Sequence, residues 1–369
     1  MTDTAIKTRS EEFGAARLGE YRGVATPARF TDPQAEFEAL RKGCGVYDLG
    51  FRAKISLTGS DRVRWLNGMV TNNVRDLAVG HGVYAFILNP QGRILGDLYA
   101  YNRGESLLLD TDHAQLEKIL ATFEHFIIMD DVEVANVSEE FAALGIGGAK
   151  SRQVLNATGF DVPDLLPLQF VQTAWQGVEC TLVRSEDERQ ESYEIWLDPG
   201  QVKQLWNCLL AVGASPVGSD AIERKRIFDG IPLYGVDIRE RDLPQETEQT
   251  RALNFSKGCY VGQEIVERIR SRGAVHRKFT GFLAEGSRPI SPGAKIAANE
   301  KEVGEITSTT SVNLGGTMRQ IALGYIRREV GLPGKEVFIG ETNATVIQLP
   351  FDESALVQQE IPASIASAP

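Results

Sequence analysis

Cysteine is scarce: the chain of 369 residues holds four, at Cys44, Cys180, Cys208 and Cys259, with no CxxC spacing. That scatter excludes a paired-cysteine zinc site and a disulfide framework, no metal site is expected, and a reducing cytoplasm is the expected setting. Positive charge is short as well, with 39 Lys and Arg against 50 Asp and Glu and a net charge of −11. So acidic a chain lacks the field that nucleic acid or an anionic membrane requires, and neither is expected as a partner. Long apolar runs are missing too. The longest, such as residues 126–129, are far too short to span a bilayer. The opening MTDTAIKTRSEEFG has no apolar stretch after a basic one, so no signal peptide is expected. What is present is 42% hydrophobic and 24% charged. That is an ordinary globular mixture, long enough for two or three domains.

FRAKISL (51–57) alternates apolar and polar residues, the pattern of a half-buried strand. TGSD follows, with Ser60 or Asp61 to cap a helix carrying Val63, Leu66 and Met69. The NPQG turn joins two predicted strands, 83–89 and 94–101. Residues 106–110 read as a strand, Thr111 or Asp112 as the cap of a helix with Leu116, Ile119, Leu120, Phe123 and Ile127 on its apolar face, and 132–137 as a further strand. A second set has the same character: AALGIGG, VECTLVR and SYEIWL as strands, and helices over KSRQVLNATG and DPGQVKQLWNCLLAVG, the latter capped by Asp198. A helix over 221–229 follows. After about Val275 short strands alternate with Gly, Pro and Asn turns, the pattern of a small barrel or sandwich. The expected organisation is α+β, with units over 1–140 and 141–274, a C-terminal β-domain over 275–350, and a disordered tail over 351–369.

One motif carries candidate chemistry. KGCYVGQE (257–264) places Cys259 between Gly258 and Gly262, before a predicted helix with Val261, Ile265 and Ile269 on one stripe. Unpaired N–H groups and the dipole at a helix start favour a thiolate, and Lys257 adds positive charge. A small buried residue in a turn is the alternative reading. Downstream, Arg268, Arg270, Arg272, His276, Arg277 and Lys278 follow with no acidic residue among them. They form either a site for a small polyanion or a solvated face.

KGCYVGQE resembles the signature of the YgfZ family, folate-binding relatives of the glycine-cleavage T-protein that support iron–sulfur enzymes. The blocks GVYDLGFRAKISLTG, LNGMVTNNV, ILNPQGRILGDL, FIIMDDVEV, SYEIWL, GIPLYGVDI and IALGYI resemble family blocks in the same order, over about residues 45–326. The resemblance implies a three-domain T-protein-like cloverleaf, two related α+β units and a small C-terminal β-barrel, with tetrahydrofolate bound in a central opening. Glu194 matches the glutamate that meets the amino-pyrimidine edge of the pterin. Arg226 matches an arginine that would face an acidic part of the ligand. Tyr84, Asn72 and Tyr234 fall in blocks that line the family pocket.

The match departs from T-protein at Gly96-Asp97, where T-protein has adjacent aspartates. Asp97 alone remains to steer a proton near the pterin. The resemblance therefore implies a tetrahydrofolate-binding accessory protein for iron–sulfur cluster assembly or repair. Cys259, Asp97 and Lys257 would be its chemical residues, folate or its polyglutamylated form its cofactor, and iron–sulfur enzymes or cluster-assembly proteins its partners. Two alternatives stand beside it: a folate-dependent aminomethyltransferase or demethylase of the T-protein type, and a non-catalytic module whose basic segment docks an acidic partner.

Overall fold

The computed structural model describes residues 13–273, 275–286 and 288–358. The chain divides into two compact units. One comprises residues up to Glu223 with Glu240–Pro244 and Gln249–Arg272, and the other Arg224–Arg239, Gln245–Glu248 and residues from Gly273 on.

In the first unit, Arg22 and Gly23 both have positive φ and turn β1 (Arg17–Tyr21) back onto β2 (Val24–Arg29). Asp32 accepts from the Gln34 and Ala35 N–H groups and starts α1 (Pro33–Lys42), with Pro33 in its first turn. There follow β3 (Gly45–Asp48), β4 (Arg52–Thr58), α2 (Arg62–Met69), β5 (Gly82–Leu88), β6 (Ile94–Asn102), β7 (Leu107–Asp112), α3 (Leu116–Phe126) and β8 (Glu133–Asn136). Then come β9 (Ala142–Gly147), α4 (Ser151–Ala157), β10 (Phe170–Trp175), β11 (Val178–Arg184), β12 (Tyr193–Leu197), α5 (Val202–Ala211), β13 (Ser215–Pro216), α6 (Ser219–Phe228), which leads into the second unit, and α7 (Gln263–Arg272).

Two sheets result. The first is antiparallel, in the order β5–β6–β7–β4–β8. Its alternation sends Ala53, Ile55, Leu57, Leu98, Ala100, Leu107 and Leu109 to one face. There they pack on Trp65, Leu66 and Met69 of α2 and on Leu116, Ile119 and Phe123 of α3. Phe123 is fully buried and meets Trp65 edge to face at 5.1 Å. Truncating such a ring to alanine costs about 3–5 kcal/mol.

The second sheet runs β10–β11–β12–β9–β3–β13 and is covered by α4 and α5 through Val154, Leu155, Leu205, Trp206 and Leu209. Strand β3 thus comes from the first half of the sequence but pairs with β9. Tyr47 lies opposite Gly145, where any Cβ would fall 2.1 Å from the tyrosine ring. The inner faces of the two sheets meet through Tyr101, Leu108, Ala143, Val183 and Trp196. The unit is therefore layered helix, sheet, sheet, helix.

The second unit holds β14 (Arg277–Ala284), β15 (Lys295–Ala298), β16 (Lys301–Leu314), β17 (Thr317–Arg327), β18 (Glu336–Ile339) and β19 (Thr342–Ile347), closed into a barrel in the order β14–β17–β16–β15–β18–β19. Phe282, Ile296, Ile306, Ile326, Val337 and Val346 fill it. Gly315 and Gly316, both at positive φ, make the β16–β17 turn. Closure leaves no open sheet edge. The expected disordered tail begins instead with a short helix, α8 (Glu353–Gln358), whose Leu356 is buried. Residues 359–369 lie outside the described residues. No described helix is long and apolar enough to cross a membrane.

Candidate functional site

The inner face of the first sheet is charged where a sandwich core would be apolar. Period-2 alternation puts Asp97, Tyr99 and Tyr101 of β6 on that face. Tyr84 of β5 lies opposite Tyr99, Asp110 of β7 also opposite Tyr99, and Arg52 and Lys54 of β4 opposite Asp112 and Asp110. The second sheet contributes Glu194 and Trp196 of β12, since Tyr193, Ile195 and Leu197 point into the opposite core.

Asp97 is clamped. Its Oδ2 accepts from the Tyr84 hydroxyl at 2.6 Å, and its Oδ1 from Gln115 Nε2 at 2.7 Å. The Asp97 N–H donates to Gln115 Oε1 at 3.0 Å, so one buried glutamine engages both main chain and side chain. Burial, and then the charge of Asp112, raise the Asp97 carboxyl above its ordinary value, while the bonds from Tyr84 and Gln115 act against them. At Gly96 a Cβ would sit 3.0 Å from Gln115 Oε1, so the space beside the backbone there belongs to the glutamine.

Around this clamp the aromatic rings pack, Tyr84 tilted against Tyr99 with centroids 4.9 Å apart. The Arg251 guanidinium lies 4.3 Å from the Tyr84 ring centroid and pairs with Glu186, which also accepts from the Tyr99 hydroxyl at 3.0 Å. Burial pushes both tyrosine hydroxyls up. Asn72 is a strap: its amide donates to the Tyr84 and Arg251 carbonyls at 2.8 and 2.7 Å, and its Oδ1 accepts from the Asn73 N–H at 2.9 Å.

A charged belt leads from Asp97 toward Glu194. Arg52 uses its fork fully, on Asp110 Oδ1 at 3.0 Å, the Asp110 carbonyl at 3.1 Å and Asp112 Oδ1 at 2.7 Å. Arg22, from the β1–β2 turn, adds a bond to Asp112 at 2.8 Å. Burial alone would raise Asp112, but Arg22 and Arg52 outweigh it and hold the group low. Lys54 Nζ is 3.0 Å from Asp110 Oδ1 and 4.1 Å from the Trp196 ring centroid. Trp196 Nε1 donates to Glu194 Oε2 at 2.9 Å. Burial and then Asp110 raise the Glu194 carboxyl, with Lys54 and Arg52 pulling the other way.

The KGCYVGQE segment is held by its first residue. Lys257, only 6% exposed, donates to the carbonyls of Asn67, Val70 and Asn72 at 2.6, 2.6 and 2.7 Å, closing the C-terminal end of α2. Burial, followed by the charge of Arg75, lowers this lysine to about 7. Cys259 is exposed, and α7 begins only at Gln263, whose side chain accepts from the Tyr260 N–H at 3.2 Å. Gly262 and Gly92 let the loop and α7 close on the β5–β6 turn. A Cβ on Gly262 would lie 2.5 Å from the Asn89 carbonyl oxygen, and one on Gly92 2.7 Å from Ile265 Cβ.

Of the residues singled out from the sequence, Asp97, Tyr84, Asn72 and Glu194 meet on or beside this inter-sheet face. Lys257 reaches the backbone of Asn72, and Cys259 lies in the outward part of the same loop. Arg226 and Tyr234 belong to the second unit. There the buried Arg226 guanidinium donates to Asp237 Oδ2 at 2.7 Å, Ser308 Oγ at 2.9 Å and the Ile231 carbonyl at 2.5 Å, while the half-buried Tyr234 bridges to Ile238. Gln115, Arg251, Glu186, Lys54 and the Arg22–Arg52–Asp112–Asp110 belt escape sequence reading. The signal available for the belt is the pair of carboxylates at i and i+2 in LLLDTD, opposite the pair of cations at i and i+2 in RAK. No cluster of potential metal ligands occurs among the described residues.

The chain is similar to known proteins along most of its length. Residues 7–257 match the GCVT N-terminal domain family. A protein of Rubrobacter xylanophilus named aminomethyltransferase is 32% identical over 341 residues, 91% of this chain and 90% of that one. A putative chloroplastic transferase of Arabidopsis thaliana is 26% identical over 92% of this chain and 77% of its own length. The crystal structure of glycine cleavage system aminomethyltransferase T from Bartonella henselae superposes with a TM-score of 0.84 at 23% identity, covering 95% of this chain and 98% of that one. Its likeness extends the shared α+β fold to the C-terminal barrel. This chain belongs to the GCVT N-terminal domain family.

Proposed function

We propose that this chain is a cytoplasmic, tetrahydrofolate-binding one-carbon transferase of the aminomethyltransferase type, with the inter-sheet face as its site. The observation that carries the reading is the pair of unlike carboxylates there. Glu194 Oε2 is committed to Trp196, while its Oε1 accepts from no group among the described residues and can take ligand N–H donors. Asp97 is half-buried, raised above its ordinary value, and aligned by Tyr84 and Gln115, as a group that holds and passes a proton must be. The donor set fits a folate: a carboxylate for an amino-pyrimidine edge, packed tyrosine rings, and a carboxyl set apart for proton handling. Tetrahydrofolate would supply the nucleophilic nitrogen that accepts the one-carbon unit. Glu194 would orient its ring and Asp97 would hold the proton. The relatives named aminomethyltransferase support the same class. Exposed Arg268, Arg270 and Arg272 on α7 offer partners for a polyglutamate tail. The test is transfer of a 13C label from an aminomethyl donor to tetrahydrofolate, followed by NMR. Transfer by the wild type and its loss in Asp97→Asn are expected, and equal rates in the two would refute the assignment.

A second reading is favoured by Lys257, whose three carbonyl bonds fix a loop that presents an exposed Cys259. With the YgfZ-like signature, it makes the protein a folate-bound accessory factor for iron–sulfur enzymes or cluster-assembly proteins. On that reading folate binds, no label moves, and Cys259→Ala lowers iron–sulfur enzyme activity in cells.

A further inference from the structure

Within the charged belt one cationic side chain makes no hydrogen bond among the described residues. Its cationic neighbours all make hydrogen bonds or close ion pairs: Arg52 with Asp110 and Asp112, Arg251 with Glu186 and Gln249, and Arg22, whose Nε is unpartnered, with Asp112. Lys54 differs. It is 2% exposed, its ammonium carries three donors, and its contact with Asp110 at 3.0 Å is an ion pair without hydrogen-bond alignment. Nζ has no hydrogen-bond acceptor among the described residues. A buried ammonium in that condition is costly to the fold unless something else accepts from it. It also lies against the Trp196 ring whose N–H holds Glu194, so the unsatisfied donors adjoin the carboxylate with the open oxygen.

We infer that Lys54 is a specificity-determining residue of this site, donating to a ring carbonyl oxygen of the ligand while Glu194 accepts from the adjacent ring N–H and amino group. The inference rests on the folate reading above and deepens it. A carboxylate beside an ammonium reads two donors followed by an acceptor along one edge. A 2-amino-4-oxo pyrimidine ring has that order. A 2,4-diamino ring replaces the acceptor with a donor, which faces Lys54 donor to donor, and its N3 carries no hydrogen for Glu194, so the Lys54 variants separate the two effects. A site built to bond one atom rejects an analogue that lacks it far more strongly than an apolar pocket does.

The experiment titrates tetrahydrofolate and its 2,4-diamino analogue calorimetrically at pH 8 into wild type, Lys54→Met and Lys54→Gln, with thermal unfolding as the check on folding. The wild type is expected to prefer the 4-oxo ligand by roughly tenfold or more. In Lys54→Met that preference falls at least tenfold, through weaker 4-oxo binding and unchanged or tighter diamino binding. Lys54→Gln, which keeps a donor without the charge, retains part of it. A merely structural lysine would weaken both ligands alike. Equal binding of the two ligands by the wild type, or an unchanged ratio in a folded variant, overturns the role of Lys54 and leaves folate binding intact. Should both substitutions fail to fold, the wild type is titrated with the 4-thioxo analogue, which keeps N3–H and weakens only the acceptor; equal binding of the 4-oxo and 4-thioxo ligands then overturns the role of Lys54. No binding of either ligand to the wild type overturns the folate reading itself.

Discussion

Gln115 is the residue through which the position of Asp97 can be tested most sharply. Gln115→Ala removes a charge-assisted bond to Asp97 Oδ1 at 2.7 Å and the acceptor of the Asp97 N–H at 3.0 Å. A bond to a charged group is worth about 1.5–3 kcal/mol and a neutral one about 1 kcal/mol, so the loss should total roughly 2–4 kcal/mol. Gly96→Ala perturbs the same clamp from the other side. The new Cβ would stand 3.0 Å from Gln115 Oε1 and 3.5 Å from Ile119 Cδ1, forcing the amide aside. Such overpacking costs roughly 1–3 kcal/mol. The two changes compete for one space, so in the double variant most of the Gly96→Ala cost should disappear, a coupling well above the roughly 0.3–0.5 kcal/mol scatter of independent sites. Urea unfolding followed by tryptophan fluorescence measures all four proteins. The bond from Gln115 also draws the Asp97 carboxyl downward, so its removal should shift the acid limb of any transfer rate to higher pH. Additive costs, or a Gln115→Ala change within 0.5 kcal/mol of zero, would refute the clamp.

Three further outcomes are expected. Lys257 is lowered to about 7 from 10.5, so unfolding takes up a proton between those values and stability rises with pH across that window; Lys257→Met should abolish that part of the slope, and an identical slope in both proteins would contradict it. Cys259 is exposed, whereas Cys44, pushed up to about 11 by burial, and Cys180, also raised, are buried; native alkylation read by mass spectrometry should therefore label Cys259 before either of them, and simultaneous labelling would show the loop placed wrongly. If the exposed arginines of α7 take a polyglutamate tail, triglutamyl folate should bind more tightly than the monoglutamate at low salt, with the gap closing as salt rises; equal affinities would sink that assignment.

The elements of this protein were legible where one residue class decides locally. Gly315-Gly316 announces a hairpin, Asp198 caps by accepting from the Gly200 N–H at 2.7 Å, and the apolar face of α3 follows its spacing. Asp97, Tyr84 and Glu194 were legible as candidates through a family resemblance, not through their spacing. The rest depended on long-range geometry. FRAKISL reads as a strand with one wet face, but that face is covered by a second sheet, so Lys54 and Arg52 are interior charges. Asp112 suits a helix cap by position, yet no cap bond forms, because Arg22 and Arg52 claim its carboxylate. Gln115, next to that same turn, carries no pattern that points to Asp97 one strand away. Arg251 reaches Tyr84 from a segment far along the chain. Charged pairs of this kind form only once two sheets are stacked, which no local period encodes.

Folate binding through Glu194 is the central claim, and calorimetric titration of tetrahydrofolate into the wild type and Glu194→Gln tests it most directly. Saturable one-to-one binding by the wild type is expected, weakened at least about tenfold in a variant with unchanged unfolding temperature, since a charge-assisted contact contributes about 1.5–3 kcal/mol. No binding by the wild type, or equal affinity in both proteins, would contradict the placement of the ligand between the two sheets.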